Sequence, residues 1–332
     1  MNDGAFMREA YKEAWKSAGH TRPNPPVGAV IVKDGQIVGR GRHRRCGGDH
    51  AEVAAIKDAC RRLSAKGTRP LAGCTLYCTL EPCSRPGRVG ACTEAILAAG
   101  LSRIVWSAVD PNPVNRGKAA RIFNRHGVAC GRLPLAADEA RLSSLARTPA
   151  SLLAPFAKHV TTGLPFVTVK LAMSLDGKIC DDFGRSQWIS SAASRRTTGR
   201  LREIVDCVMV GAETVRQDDP SLLCHTKRND DLLRAVVSAS GRLPKRARIF
   251  ADEAKARTHV FRSPREALVE LGRMGVLHVL CEGGLGLARA LAAEGLVDEW
   301  ITVLSPLVIG NRPMAKALRL SGTDRISTSL LP

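Results

Sequence analysis

His50, Ala51 and Glu52 stand together, followed by Pro82-Cys83 and then Cys92, so three soft or borderline metal ligands lie beside one free carboxylate. One imidazole and two thiolates hold Zn²⁺ with a fourth tetrahedral position left for water, whose pKa falls towards neutrality. Glu52, two residues beyond the histidine, is then free to take a proton from that water and deliver it to a ring nitrogen and a departing amine. The chemistry these residue types suit is hydrolytic deamination. The ordinary alternative is a helix with a polar first turn and cysteines that are merely buried.

The elements that must position these groups are legible. His-Ala-Glu precedes the apolar run Val53-Ala54-Ala55-Ile56, which puts ligand and acid at a helix start, where the positive dipole end favours anions. Cys83 follows Thr79-Leu80-Glu81-Pro82 and the strand-like segment 74–79, so its thiolate emerges where a strand turns toward a helix. Cys74 and Cys78 share that strand with Leu76 and read as core thiols. Nucleobase deaminases carry H-x-E with P-C-x-x-C, whereas here the second thiolate comes nine residues after the first.

Around the motif, residues 5–18 read as an amphipathic helix, 27–32 as a strand closed by Lys33-Asp34-Gly35, and 37–41 as its return. A helix near 91–99, a strand at 103–109, a helix near 118–126 and a short strand at 127–130 complete an α/β layered domain. From about 134 to 163 the chain has prolines at 134, 149 and 155, with another just beyond at 165, and no clear strand, which places the domain boundary there. A second strand-rich unit begins at 166–172, with later strands at 205–210, 234–238, 276–281 and 300–305 and helices at 191–203, 264–274 and 284–294. Cys281-Glu282-Gly283-Gly284-Leu285-Gly286 is either a phosphate-cradling helix start or a simple tight turn.

A length of 332 residues implies two domains. A net charge of +19 suits phosphate binding, but aromatics are 4 % of the chain and the basic residues are scattered. A phosphorylated small substrate and a phosphate-bearing cofactor are therefore expected, and no nucleic acid. Residues 1–13 contain no apolar signal core, so the eleven cysteines are expected in a reducing, cytoplasmic setting, divided between ligands and buried thiols. No stretch approaches the ~18 apolar residues of a membrane span.

The order of the motifs resembles that of the bifunctional riboflavin-biosynthesis deaminase/reductases, over roughly residues 4 to 320. The first half carries Pro23-Asn24-Pro25, Gly41-Arg42-His43, His50-Ala51-Glu52, Thr79-Leu80-Glu81-Pro82-Cys83 with Cys92, and Asp110-Pro111-Asn112-Pro113. The second carries Lys170-Leu171, Ser174-Leu175-Asp176-Gly177-Lys178, Ser186-Gln187-Trp188-Ile189, Gly211-Ala212-Glu213-Thr214, Asp218-Asp219-Pro220 and Glu282-Gly283-Gly284. The resemblance implies two layered α/β domains, an N-terminal cytidine-deaminase-like domain over 1–148 and a C-terminal dihydrofolate-reductase-like domain over 160–332. It implies zinc-dependent deamination of 2,5-diamino-6-ribosylamino-4(3H)-pyrimidinone 5′-phosphate. NADPH-dependent reduction of 5-amino-6-(5-phosphoribosylamino)uracil to the ribitylamino product would follow.

By the same resemblance Glu52 is the proton shuttle, His50, Cys83 and Cys92 are the zinc ligands, and Asn24 and His43 line the pocket. Asn24 is otherwise a turn residue between prolines, and His43 a solvated loop residue among Arg42, Arg44 and Arg45. Ala172, Trp188, Thr214, Asp218 and the run Gly284, Leu285, Gly286, Leu287, Ala288, Arg289 and Ala290 match cofactor positions. Ser186, Arg202, Leu222, His225 and Glu282 match substrate positions, Arg202 as a guanidinium clamp. Trp188 is otherwise a core aromatic and Arg202 a surface helix arginine.

The chain departs from the family at Ser84-Arg85-Pro86-Gly87-Arg88-Val89-Gly90-Ala91, where a histidine and Thr-Pro-Pro are usual. His225 replaces an arginine and Ser238 an aspartate. The family's reductase sheet continues beyond the position of Pro332, so an open sheet edge and a homo-oligomer that covers it are expected. Rival readings are a deaminase whose reductase half is degenerate and structural, and a tRNA- or DNA-editing zinc deaminase that uses the basic charge. The latter leaves the second domain unexplained.

Overall fold

The computed structural model describes residues 2–85, 90–134, 143–186, 188–224, 226, 229–311, 313, 317–320 and 322–330. The chain divides into two compact units, Met1–Leu142 with Arg147–Thr161 and Ser143–Ala146 with Thr162–Pro332.

In the first unit, helix α1 (Asp3–Trp15) opens on Asn2, whose side chain accepts the Ala5 N–H, and buries Phe6, Met7, Ala10, Tyr11 and Ala14 at one-sided helical spacing. Strands β1 (Gly28–Lys33) and β2 (Gln36–Arg42) form a hairpin through Asp34-Gly35. Both turn residues have positive φ, 48° and 73°, as a two-residue turn matched to strand twist requires. Helix α2 (Ala51–Arg62) follows, then β3 (Thr75–Leu80), α3 (Cys92–Ala99), β4 (Arg103–Ala108), α4 (Lys118–Arg125) and β5 (Ala129–Arg132). The sheet order is β2-β1-β3-β4-β5, with β3, β4 and β5 parallel.

Glycines let the helices seat on this sheet. A Cβ on Gly28 would stand 2.1 Å from the Ala10 carbonyl of α1, and one on Gly41 2.1 Å from the Ala51 carbonyl of α2. The alternating arginines of β2 face α1 instead, where Arg40 pairs with Glu9 at 2.9 Å and Arg42 approaches Glu13 at 3.6 Å. Helix α2 is thereby pressed against β2 with its first turn, which carries Glu52, held at the sheet. Cys74 and Cys78 are buried in the core.

The stretch without expected structure holds a further helix, α5 (Pro149–Thr162), with Pro155 inside it. Prolines read as breakers in sequence, yet Pro149 starts the helix, where a missing N–H costs nothing.

The second unit is a seven-stranded sheet in the order β14-β11-β6-β10-β7-β8-β9. Its strands are β6 (Phe166–Ser174), β7 (Cys207–Gly211), β8 (Leu233–Val237), β9 (Thr258–Phe261), β10 (His278–Cys281), β11 (Glu299–Ser305) and β14 (Arg325–Leu330), and β12 (Leu307–Val308) pairs separately with β13 (Leu318–Arg319). All pairs in the large sheet are parallel except β11 with β14. Its helices are α6 (Ala192–Gly199), α7 (Ala212–Asp218), α8 (Arg248–Ala251), α9 (Pro264–Arg273) and α10 (Leu285–Ala293). Leu268 and Leu271 of α9 and Ala288 and Leu291 of α10 join Val167, Val169 and Val279 in the core. Strands covered on both faces read as apolar runs, which is why β6, β7 and β10 were legible; β9 and β14, at the sheet edges, were not.

A buried polar line crosses the central strands. His278 meets Thr168 Oγ1 at 2.8 Å, Thr168 donates to Glu299 at 2.7 Å, and the Ser144 N–H donates to Glu299 at 2.8 Å. Among the described residues no helix is long and apolar enough to cross a membrane.

Candidate functional site

His50 caps the start of α2 with φ −69° and ψ 160°, and its ring makes no bond to the helix, leaving it to turn toward the cysteines. Cys83 lies beyond the end of β3, and Cys92 is the first residue of α3. His50 Nδ1 is 3.1 Å from Cys92 Sγ and 3.5 Å from Cys83 Sγ, and the three donor atoms all lie within 4.8 Å of one another. Zinc with bonds of ~2.3 Å to sulfur and ~2.0 Å to nitrogen spaces such donors by a little under 4 Å. The set fits that ion.

The electrostatics suit a metal–thiolate centre. Cys83 is held down at about 4, chiefly because it accepts a hydrogen bond from the Cys92 thiol, with further bonds from His50 and the Cys92 backbone N–H. These bonds favour its thiolate form. The bond to Cys83 raises the His50 imidazole, and the same contact with Cys83 raises the Cys92 thiol. Glu52, in the first turn of α2, is 4 % exposed, and burial, then the Cys83 charge, pushes its carboxyl up to about 7.

Beside this cluster Asn24 Nδ2 lies 3.1 Å from His43 Nε2, and His43 Nδ1 lies 3.0 Å from the Asp49 carbonyl. A carbonyl only accepts, so Nδ1 carries the proton and Nε2 accepts from the Asn24 amide. Burial lowers the His43 pKa, which favours the neutral ring. Asn24 retains its carbonyl oxygen and one N–H for a ligand. His43 is 3 % exposed and stacks edge-on against His50, with centroids 5.3 Å apart, so it is not a solvated loop residue.

The second unit contains a cleft of about 660 Å³ at the carboxyl ends of β6, β7 and β10. Ligands of parallel sheets lie at such an edge. Ala172, Trp188, Thr214, Asp218 and Gly284 border it, as do Ser186, Arg202, Leu222 and Glu282. Trp188 is 59 % exposed with the Arg195 guanidinium 4.1 Å over its ring, so it is a cleft wall and not a core aromatic. Arg202 is largely buried and bonds Glu282 at 2.7 and 3.2 Å and the Leu223 carbonyl at 3.0 Å, which removes the surface-helix reading. Ser186 donates to Asp218 at 3.4 Å, and burial raises the Asp218 carboxyl. Leu222 holds φ +57°, a strained conformation for a branched side chain.

Comparison with known proteins follows the same division. Residues 1–108 match the cytidine and deoxycytidylate deaminase zinc-binding region, and residues 165–323 match the RibD C-terminal domain. The chain is 32 % identical to the riboflavin biosynthesis protein RibD of Aquifex aeolicus over 93 % of its own length and 88 % of that protein. It is 35 % identical to the Corynebacterium ammoniagenes RibD, over 98 % and 92 %. The chain belongs to the RibD family. It is a bifunctional deaminase/reductase of riboflavin biosynthesis, with a zinc-binding deaminase domain and a reductase domain. Among solved structures, Acinetobacter baumannii RibD is similar at TM-score 0.80 and 30 % identity, covering 99 % of this chain and 98 % of that one. The deaminase/reductase of Thermotoga maritima is similar at TM-score 0.81 and 30 % identity, covering 98 % and 97 %.

In this RibD-family chain the run 284–290 divides. Gly284 borders the cleft, with its N–H 3.3 Å from Thr214 Oγ1, and Leu285 and Arg289 are exposed. Leu287 and Ala288 are buried in the core, as the inward stripe of α10, and Gly286 and Ala290 do not line the cleft. His225 and Gln187 lie outside the described residues, as do Gly87 and Arg88 of the departing loop. Ser238 is buried at the end of β8. Lys170, Arg195, Arg196 and Arg248 also border the cleft, and sequence reasoning assigned none of them a site role. Fifty scattered lysines and arginines gave no local signal for the three arginines.

Proposed function

We propose that the first domain removes the 2-amino group of 2,5-diamino-6-ribosylamino-4(3H)-pyrimidinone 5′-phosphate and that the second reduces 5-amino-6-(5-phosphoribosylamino)uracil to its ribitylamino product with NADPH. The observation that carries the deaminase reading is the buried Glu52 carboxyl beside the cluster of the His50 imidazole with Cys83 and Cys92. His50, Cys83 and Cys92 would hold zinc, which would supply Lewis acidity that brings a water's pKa towards neutrality. Glu52 takes a proton from the attacking water and hands it to the ring nitrogen, then takes the proton of the hydroxyl on the tetrahedral carbon and delivers it to the departing amine, leaving the carbonyl and ammonia. Asn24, oriented by neutral His43, offers one acceptor and one donor to the pyrimidine edge.

In the second domain the cleft residues would hold NADPH, which would supply the hydride for the open-chain imine carbon, while the imine nitrogen takes a proton from solvent to give the amine. Trp188, Thr214, Asp218 and the Gly284 backbone border the space for the cofactor. Arg202, Glu282, Ser186 and Leu222 border that for the sugar phosphate, with His225 assigned to the same role from the family motif alone. These groups align donor and acceptor and exclude water. The partner is a small phosphorylated pyrimidine, not a nucleic acid.

The test is incubation of zinc-loaded protein with the diamino-pyrimidine ribosylphosphate, with and without NADPH, and mass detection of both products. Deamination alone is expected without NADPH, and the ribitylamino product with it. No deamination defeats the first assignment. Deamination without reduction defeats the second and favours a structural reductase half.

A further inference from the structure

Glu81 is buried, 3 % exposed, between the strand end that leads to Cys83 and the segment that follows β4. Its side chain faces donors from both ends of that segment. One oxygen accepts the N–H groups of Asp110 at 3.2 Å and Gly117 at 3.0 Å, and the other accepts that of Ala119 at 3.2 Å. The Glu81 N–H itself donates to the Ala108 carbonyl at 2.8 Å. The loop is also folded on itself, since Asp110 accepts from the Asn112 N–H at 2.9 Å and the Asn115 amide at 3.0 Å.

β3 and β4 are adjacent and parallel, so their carboxyl ends open on one edge of the sheet. One following loop brings Cys83, and the other begins at Asp110. That edge is where parallel sheets bind ligands.

We propose that Glu81 is a positioning residue of the deaminase: it closes the Asp110–Ala119 loop and fixes it as a wall of the pyrimidine pocket beside Cys83, touching neither metal nor substrate. The proposal rests on the deaminase reading above. A carboxylate suits the role because Ala119 lies in the first turn of α4, where an anion is favoured. Three N–H groups on two oxygens also leave no place for an amide nitrogen. In Glu81→Gln at least one buried N–H would face another donor, and in Glu81→Asp the shorter side chain cannot span both ends of the loop.

The experiment compares wild type, Glu81→Gln and Glu81→Asp as full-length, zinc-loaded proteins. Zinc content, steady-state deamination of the diamino-pyrimidine ribosylphosphate and amide hydrogen exchange are measured. Both variants should keep the wild-type zinc content, raise KM roughly tenfold or more with kcat changed far less, and lose exchange protection in 110–119 but not in α2 or α3. Should Glu81→Gln not fold, Glu81→Asp carries the same comparison. Parallel loss of zinc and kcat would overturn the proposal in favour of a scaffold role for the metal centre, and so would an unchanged KM or unchanged exchange in 110–119. Wild-type protein without turnover would instead defeat the substrate reading, and exchange, which needs no substrate, would still decide whether Glu81 holds the loop.

Discussion

Arg202 and Glu282, eighty residues apart in sequence, meet at the reductase cleft in a two-point ion pair, Nε to Oε1 at 2.7 Å and Nη2 to Oε2 at 3.2 Å. Their side chains are 14 % and 18 % exposed, so the pair is largely desolvated. Arg202→Ala should destabilise the reductase unit by roughly 3 kcal/mol, because it removes the two-point ion-pair partner of a largely desolvated carboxylate. Adding Glu282→Leu should recover part of that loss, while both variants lose reduction and keep their zinc. Chemical denaturation of the single and double variants measures the coupling, and strictly additive losses would argue against it.

Glu52→Gln preserves shape and removes the proton shuttle. Deamination should fall by about 10²- to 10⁴-fold with zinc retained, whereas Cys83→Ser should lose both. Reduction of supplied deaminated intermediate should continue in each variant, and stripping the metal with a chelator should reproduce the Cys83→Ser result. A Glu52→Gln enzyme with wild-type turnover would falsify the assigned role.

Gly41 is one of the glycines that let helix α2, which brings Glu52 to the site, approach β2. A Cβ there would stand 2.1 Å from the Ala51 carbonyl and 2.3 Å from the Ala55 nitrogen, both backbone atoms. Gly41→Ala should therefore cost the first unit ~1–3 kcal/mol and weaken zinc binding. Gly131→Ala, with open space at the new Cβ, is the control. Equal thermal stability and zinc affinity in the two variants would contradict this account.

Burial holds the His278 imidazole down at about 3. Around it stand the Thr168 hydroxyl, with Glu299 behind it, the Phe166 ring edge, and Asp206, which accepts the His278 backbone N–H at 3.0 Å. An unfolded histidine titrates near ~6.5, so below that pH the unfolded chain takes up a proton that the native state refuses. The contribution is complete above ~6.5 and declines as pH falls toward 3, by at most ~1.4 kcal/mol per pH unit. Denaturation of wild type and His278→Phe across pH 4–7 should give a shallower acid loss in the variant. Parallel curves would assign the acid sensitivity to other groups.

The zinc-binding motif was legible because each ligand sits at the start or end of a local element, and residue type at such a place already implies chemistry. His50 before α2, Cys83 after β3 and Cys92 opening α3 needed no knowledge of strand order. The strands buried on both faces were readable for a similar reason, since apolar runs survive in one dimension. What only the tertiary structure decided are relationships between distant residues. The Asn24–His43 bond fixes a tautomer, Glu282 engages much of the Arg202 guanidinium, and Glu81 gathers three N–H groups from beyond β4. Lys170, Arg195 and Arg248 border one cleft because the order β6-β10-β7-β8 brings their elements to the same edge. Hydrogen bonds and ion pairs act over a few ångströms of space, and it is sheet order, not separation along the chain, that determines which groups come within that range.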